Sequence, residues 1–312
     1  MVKIKKEDLV MPYFVIAGAH KKEPVVSMPG IARLSIDNLL KDILKALASG
    51  IKAVLLFGIC PRGRKDVEGS YAYSADSVVA QAVKAVKKAV RDITVITDVC
   101  LCAYTSHGHC GVLKGPGREI DSKKTLKALS NMALRHAEAG ADYVAPSAMA
   151  KKQVAAIRKA LDKNGFRRTK IMGYSAKFAS NFYGPFRNAA GSAPEFGDRS
   201  GYQLDYKDRA GAIKEIETDI KEGADIVMVK PALSYLDIIK EAGTKFRHPL
   251  AAYNVSGEYA MVKAYCRSLG PGAKVQEAEK KLVLEILTGI KRAGADLIIS
   301  YHAKDAAKWL KQ

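Results

Sequence analysis

The chain has 312 residues, 48% of them hydrophobic, enough to bury the core of one barrel-sized domain or of two smaller ones. Lys and Arg number 51 against 32 Asp and Glu, a net charge of +19 that suits an anionic partner, either nucleic acid or an acidic small molecule. The opening MVKIKKEDLV lacks a signal-peptide core, no apolar run reaches the roughly 18 to 20 residues of a membrane helix, and five cysteines are an odd set, so a soluble cytoplasmic protein without disulfides is expected.

Eight short apolar runs rich in β-branched residues follow in order: 12–18 (PYFVIAG), 52–58 (KAVLLFG), 93–99 (ITVITDV), 142–147 (DYVAPS), 170–175 (KIMGYS), 225–230 (DIVMVK), 250–255 (LAAYNV) and 296–301 (DLIISY). Between them lie helical patterns of period 3.6, among them LLKDILKALASG, SVVAQAVKAVKKAV, LKALSNMALRHAEAG and EKKLVLEILTGIKRAG. Three helices end in one phrase, EAGADYV, KEGADIV and RAGADLI, which reads as a glycine-closed helix feeding the next strand. Eight such units on one chain, with no linker between them, predict a single α/β domain over 1–312, a (β/α)8 TIM barrel with catalytic residues at the C-terminal strand ends. A doubly wound open sheet is the alternative, disfavoured because no Gly-rich dinucleotide fingerprint follows an early strand. The stretch 178–208 reads as one long irregular loop carrying Arg187 and Arg199 among glycines, the character of an active-site lid.

Strand ends carry the residues of chemical interest. The third run leads into Asp98 and the cysteines, the fourth ends at Ser147, the fifth leads to Ser175 and Lys177, the sixth ends at Lys230, the seventh at Ser256 and the eighth at Tyr301. One strand-end lysine facing solvent is commonplace. Two on adjacent strands, roughly 4.8 Å apart, would share a pocket and disfavour each other's charge, leaving an amine able to attack a ketone. The segment TDVCLCAYTSHGHCG spaces Cys100, Cys102 and Cys110 as C-x-C-x7-C, which suits zinc with an open fourth position. The competing reading packs Cys100 or Cys102 in the core and leaves His107 and His109 to surface hydrogen bonds, although either histidine would also serve as a ligand or as a donor behind one. Cys60 and Cys266 read as inert, and Trp309 as packing a last helix onto the barrel.

TDVCLCAYTSHGHCG, YSAKFASNFYGPFRNAAGSAPEFGDRSGYQLD, GADIVMVKPALSYLDII and AYNVSGEYAMVKA, with SMPGIARLS and GADLIISYHAKDAAKWL more loosely, resemble the porphobilinogen synthase (5-aminolevulinate dehydratase) family over nearly the whole chain. The resemblance implies condensation of two 5-aminolevulinate molecules to porphobilinogen with loss of two waters, in tetrapyrrole synthesis. It places the P-side substrate as a Schiff base on Lys230 and the A-side substrate on Lys177, with Asp98 and Ser147 moving protons. It assigns Arg187, Arg199 and Gln203 to the A-side carboxylate, Ser256 and Tyr301 to the P-side carboxylate, and zinc to the three cysteines, the mark of the family's zinc-dependent branch. It also implies a homo-oligomer, an octamer or a smaller assembly built from dimers.

Three departures stand out. Ala148 follows Ser147 where the family usually has Asp, which touches local hydrogen bonds and a subunit contact. Asn254 replaces the usual Gln before VSGEY, a tolerated shortening. About eleven residues precede the first predicted strand, where family members carry a longer arm; a magnesium site that would use Glu215 depends partly on that arm and is not assigned. The rivals are a Schiff-base aldolase, which leaves the second lysine and the thiols unexplained, a nucleic-acid-binding protein, and a catalytically weakened homologue. The cations fall in amphipathic helical patterns such as VKAVKKAVRDI rather than among aromatics, which argues against nucleic acid.

Overall fold

The eight apolar runs form parallel strands that close on themselves. A computed structural model gives the structure of residues 2–115 and 119–310. Its strands are β1 (Leu9–Val15), β2 (Lys22–Pro24), β3 (Ala32–Leu34), β4 (Ala53–Gly58), β5 (Thr94–Val99), β6 (Tyr143–Pro146), β7 (Lys170–Lys177), β8 (Ile226–Lys230), β9 (Leu250–Asn254) and β10 (Leu297–Ser300). Strands β4 to β10 pair in sequence order, β1 pairs with β4, and β10 pairs back to β1, closing an eight-stranded barrel. Its helices are α1 (Ile36–Ala48), α2 (Val78–Ala89), α3 (Ser122–Glu138), α4 (Gln153–Lys163), α5 (Gly184–Ala190), α6 (Arg209–Lys221), α7 (Leu236–Lys245), α8 (Ser256–Ser268), α9 (Ala273–Ala293) and α10 (Ala303–Trp309). This is the expected (β/α)8 fold.

Two cores follow from the period-2 alternation of the strands. Val10, Leu55, Ile96, Met172, Met228 and Ile299 fill the barrel interior. Their neighbours in sequence, Leu9, Val54, Val95, Ile171, Val227 and Ile298, pack outward against the helices. Each helix supplies an apolar stripe, as in α1, where Leu39, Ile43 and Ala46 are buried. Trp309 packs partly buried against the outer core, as expected.

The repeated Gly-Ala-Asp phrase has a structural cause. Gly140, Gly223 and Gly294 have φ of +100°, +99° and +129°, a turn out of the helix that a Cβ disfavours. Two residues later the carboxylate accepts a backbone N–H from the neighbouring strand: Asp142 from Val95 (2.7 Å), Asp225 from Ile171 (2.8 Å) and Asp296 from Leu250 (2.9 Å). Three strand pairs, β5/β6, β7/β8 and β9/β10, are thus clasped at the end opposite the catalytic rim.

The first strand begins at Leu9, three residues before the sequence pattern placed it. Pro12 lies inside it, paired with Leu55. Ile16 N–H bonds the Leu34 carbonyl, so even-numbered residues present their backbone to β10 and β3. Pro12 falls between the residues paired with β10 (Leu9, Val10) and those paired with β3 (Phe14, Val15), where no ladder donor is required.

Candidate active site

Alternation along the strands carries polar side chains to the catalytic rim. The inward faces at Ile96, Ala145, Met228 and Ile299 continue two residues on to Asp98, Ser147, Lys230 and Tyr301. β7 needs a further device, because Met172 and Tyr174 point inward and strict alternation would turn Lys177 outward. Gly173 pairs with Val227 but Ala176 with Val229, so β7 uses three residues where β8 uses two. This bulge sets Lys177 directly opposite Lys230 and inward.

The two lysines are only 6% and 5% exposed. Lys177 Nζ donates to the Ser147 carbonyl at 2.5 Å. Lys230 Nζ lies among aromatic rings, 4.3 Å from the centroid of Tyr253, 5.0 Å from Tyr174, 5.1 Å from Tyr183 and 5.3 Å from Phe186. Burial, aided by the Lys177 charge, lowers its pKa to about 7 against the pull of Asp98 and the cysteines. Asp98 is raised to about 6 by burial, opposed by a hydrogen bond from Ser147 and by both ammonium groups. One oxygen of Asp98 and the hydroxyls of Tyr104 and Tyr174 have no hydrogen-bond partner.

Cys100, Cys102 and Cys110 are buried free thiols. Their sulfurs lie within 4.8 Å of one another, with Cys100 and Cys102 3.4 Å apart, too far for a disulfide. Hydrogen bonds from the other two thiols draw Cys110 well below its ordinary pKa, with Arg199 and Lys177 acting in the same direction. Three soft donors converging on one small buried volume fit a thiophilic metal ion.

The histidines of this segment do not join them. His107 Nε2 faces the Val67 carbonyl at 3.2 Å, and its Nδ1 accepts the His109 N–H. His109 Nε2 faces the Phe196 carbonyl at 3.1 Å, and its Nδ1 lies 3.3 Å from the Tyr202 hydroxyl. Both rings are buried rather than at the surface; that of His109 fastens the lid to the cysteine loop, and that of His107 ties this loop to the segment around Val67.

The lid, expected to be irregular throughout, contains a short 3-10 turn (Asn181–Tyr183) and α5. Pro185 fits the first turn of α5, and Gly191 ends it at φ +56°. Arg199 donates to the carbonyls of Gly108 (3.0 Å) and Ser192, leaving its Nε free of partners. Arg187 is half-buried, its pKa lowered by burial and by nearby Arg199, and the buried Gln203 amide has no partner. Gly108, at φ +71°, would place a Cβ 2.2 Å from the Ala193 carbonyl oxygen. Gly108→Ala is therefore expected to strain the turn by about 1–2 kcal/mol and lift the lid from the cysteine loop. A lower melting temperature with faster proteolysis within 191–203 would register it; unchanged proteolysis would show that the contact does not hold the lid.

On the opposite wall Ser256 opens α8 directly after β9. Its hydroxyl donates to the Phe182 carbonyl (3.1 Å) and accepts the Phe186 N–H (3.0 Å), tying the lid to the barrel. Tyr301 lies 3.2 Å from the Tyr253 hydroxyl and stacks on Phe14.

A family model described as "Delta-aminolevulinic acid dehydratase" matches residues 1–309. The chain belongs to the delta-aminolevulinic acid dehydratase family. Among its relatives of that name, the protein of Archaeoglobus fulgidus is 49% identical over 99% of this chain and 92% of its own. That of Bacillus subtilis is 46% identical over 99% and 93%. A crystal structure of the Toxoplasma gondii enzyme, in complex with the reaction product porphobilinogen, superposes with a TM-score of 0.94 at 41% identity over 99% of this chain and 86% of that one. A dihydropteroate synthase from Vibrio fischeri superposes at TM-score 0.50 and 12% identity, over 97% of this chain and 90% of its own, a likeness of fold alone.

In this family member the structure gathers the predicted site residues at one rim, with Ser256 and Tyr301 beside Lys230 and Arg187, Arg199 and Gln203 on the thiol side, whereas Ser175 faces outward and hydrogen-bonds Asp219 of α6. Ala148 is buried beside a cavity of about 330 Å3 also lined by Lys151, Gln203 and Glu215, where Lys151 partly offsets the burial that raises Glu215. The rings around Lys230 were not singled out from the sequence. Tyr174 and Tyr253 sit at inward positions of apolar strands and read as core; alternation counted from Lys230 was the available signal for Tyr253. Cys60 and Cys266 stand outside the thiol cluster, buried and with raised pKa values.

Proposed function

We propose that the protein is a porphobilinogen synthase, joining two molecules of 5-aminolevulinate with loss of two waters in tetrapyrrole (haem) biosynthesis. The Lys177–Lys230 pair carries this reading: two buried amines on adjacent strands, where an aldolase on the same fold needs one.

Lys230 is neutral above about pH 7 and attacks the ketone carbon of the P-side substrate. The ketone oxygen leaves as water and a carbon–nitrogen double bond forms. Lys177 does the same for the A-side substrate. Removing a proton from the carbon beside one imine creates the nucleophile for the new carbon–carbon bond. Asp98, with a pKa near 6, is mostly ionised at neutral pH and takes that proton, with the Ser147 hydroxyl beside it. That carbon of the A-side substrate adds to the P-side imine carbon, which leaves Lys230 attached as an amine, and loss of the second proton from the same carbon then expels Lys230 and forms a carbon–carbon double bond. The P-side amino group adds to the A-side imine carbon, the resulting aminal collapses to expel Lys177, and loss of a ring proton completes the pyrrole, so both amines are regenerated and the two ketone oxygens account for the two waters.

Ser256 and Tyr301 hold the P-side carboxylate; Arg187, Arg199 and Gln203 hold the other. The space enclosed by Phe57, Asp98, Cys102 and Phe186 is only about 10 Å3, so α5 must withdraw to admit substrates and return to exclude water from the imines. Cys100, Cys102 and Cys110 would hold zinc, placing the chain in the zinc-dependent branch. Thiolates about 2.3 Å from a tetrahedral zinc stand roughly 3.8 Å apart, within the envelope of these sulfurs. Bound zinc supplies a Lewis acid beside the A-side substrate.

Among the described residues no helix is long and apolar enough to cross a membrane. Five unpaired cysteines suit a cytoplasmic setting. Met261 and Tyr265 on one face of α8, with Leu269 just beyond its end, are about half exposed and support association into a homo-oligomer. The test is pyrrole formation from 5-aminolevulinate, read with an aromatic aldehyde before and after chelation. Activity lost on chelation and restored by zinc is expected. Product formed by fully metal-free protein would remove the cysteines from catalysis, and no product in any state would return the aldolase reading.

A further inference from the structure

Lys230, Ser256 and Tyr301 stand at the ends of three different strands, and one buried polar chain joins those ends. Glu258, in the first turn of α8, accepts the Leu233 N–H at 2.6 Å, three residues beyond Lys230. Its other oxygen accepts the Val255 N–H (2.6 Å) and the Asn254 side-chain amide (3.1 Å), immediately before Ser256. The Ser300 hydroxyl donates to Asn254 Oδ1 at 2.9 Å and accepts the His302 N–H at 3.1 Å, bracketing Tyr301. Glu258, Asn254 and Ser300 are each at most 2% exposed, and none has a role in the chemistry proposed above. Every link is satisfied, so the chain behaves as a rigid brace.

We propose that Glu258, Asn254 and Ser300 are positioning residues that gauge the length of the P-side substrate. They fix the span between the Lys230 amine, which takes the ketone carbon, and the Ser256 and Tyr301 hydroxyls, which take the carboxylate. That span admits an acid with its ketone at the fourth carbon and rejects the homologue one methylene longer. The inference rests on the roles proposed above for Lys230, Ser256 and Tyr301.

Borohydride trapping on Lys230 tests it, with 4-oxopentanoate and 5-oxohexanoate in competition and the Lys230 peptide read by mass spectrometry. The unmodified protein is expected to prefer the shorter acid by on the order of 10- to 100-fold, the discrimination one methylene provides. Ser300→Ala breaks one link. Asn254→Asp keeps the shape but sets a second carboxyl against Glu258. Either is expected to cut the preference to a few-fold, while Ser300→Thr, which keeps the hydroxyl, preserves it. A merely structural role predicts lower melting temperatures with an unchanged preference; that result in both folded variants overturns the gauge while leaving the Schiff-base reading intact. Absence of trapping at Lys230 by either acid in the unmodified protein overturns both.

Discussion

Lys230→Met is expected to lower kcat for pyrrole formation by on the order of 10^4-fold or more, the cost of removing a covalent nucleophile. Methionine has a comparable unbranched length and fits among the rings of Tyr174, Tyr183, Phe186 and Tyr253, so the loss reflects chemistry rather than packing. Trapping of 5-aminolevulinate on Lys230 by borohydride in the unmodified protein should rise about tenfold per pH unit up to about pH 7 and then level, following the neutral amine. Stability carries the same signature. The Lys230 amine binds its proton near pH 7 in the folded chain and near its ordinary 10.5 when unfolded. Between those values the unfolded chain holds more protons, so stability rises with pH, and the cost of the buried ammonium is complete below 7. Lys230→Met removes that cost, and its melting temperature should exceed the parent's at pH 6 and approach it near pH 10. Full activity in the variant, or a pH-independent difference in melting temperature, would contradict the role given to this amine.

Cys102→Ala is expected to lose most of its bound zinc and to slow turnover about a thousandfold, corresponding to several kcal/mol of Lewis-acid stabilisation. Two remaining thiols cannot reproduce a three-sulfur site, and the nearby histidines cannot replace the third. His107 and His109 already spend both ring nitrogens on the lid and on the loop around Val67. Lys230 should still be trapped by borohydride, because imine formation depends on burial and on Lys177 rather than on the metal. Zinc content by atomic emission, with Cys266→Ala as the control that keeps it, separates this from general destabilisation. Undiminished turnover in zinc-free Cys102→Ala would leave the thiols without a catalytic part.

The barrel was legible because buried parallel strands are short apolar runs and because the glycine closures recur before Ala-Asp. The reason for that Asp was not legible, since its partner is a backbone N–H some 46 to 54 residues away in sequence. The lysines and cysteines were legible by type and spacing. Helix α5 was missed because GPFRNAAG is short and glycine-bounded, and its docking depends on Ser256, 70 residues from Phe186. Asn254 read as a shortened polar side chain; its place between Ser300 and Glu258 emerges only when β9 and β10 lie side by side.

The bulged register of β7 makes this barrel a two-amine machine. Each rung of a regular strand pair can present one residue per strand to the axis, and without the bulge Ala176 would take the place opposite Lys230. The same sequence paired without the bulge, with Ser175 on a rung of its own opposite Val229, would turn Lys177 toward the helices and leave a lone amine under the same lid. Such a barrel would retain the chemistry of one ketone and lose the ability to introduce it to a second, so the step from a one-substrate enzyme to a condensing one is here a single rung of register.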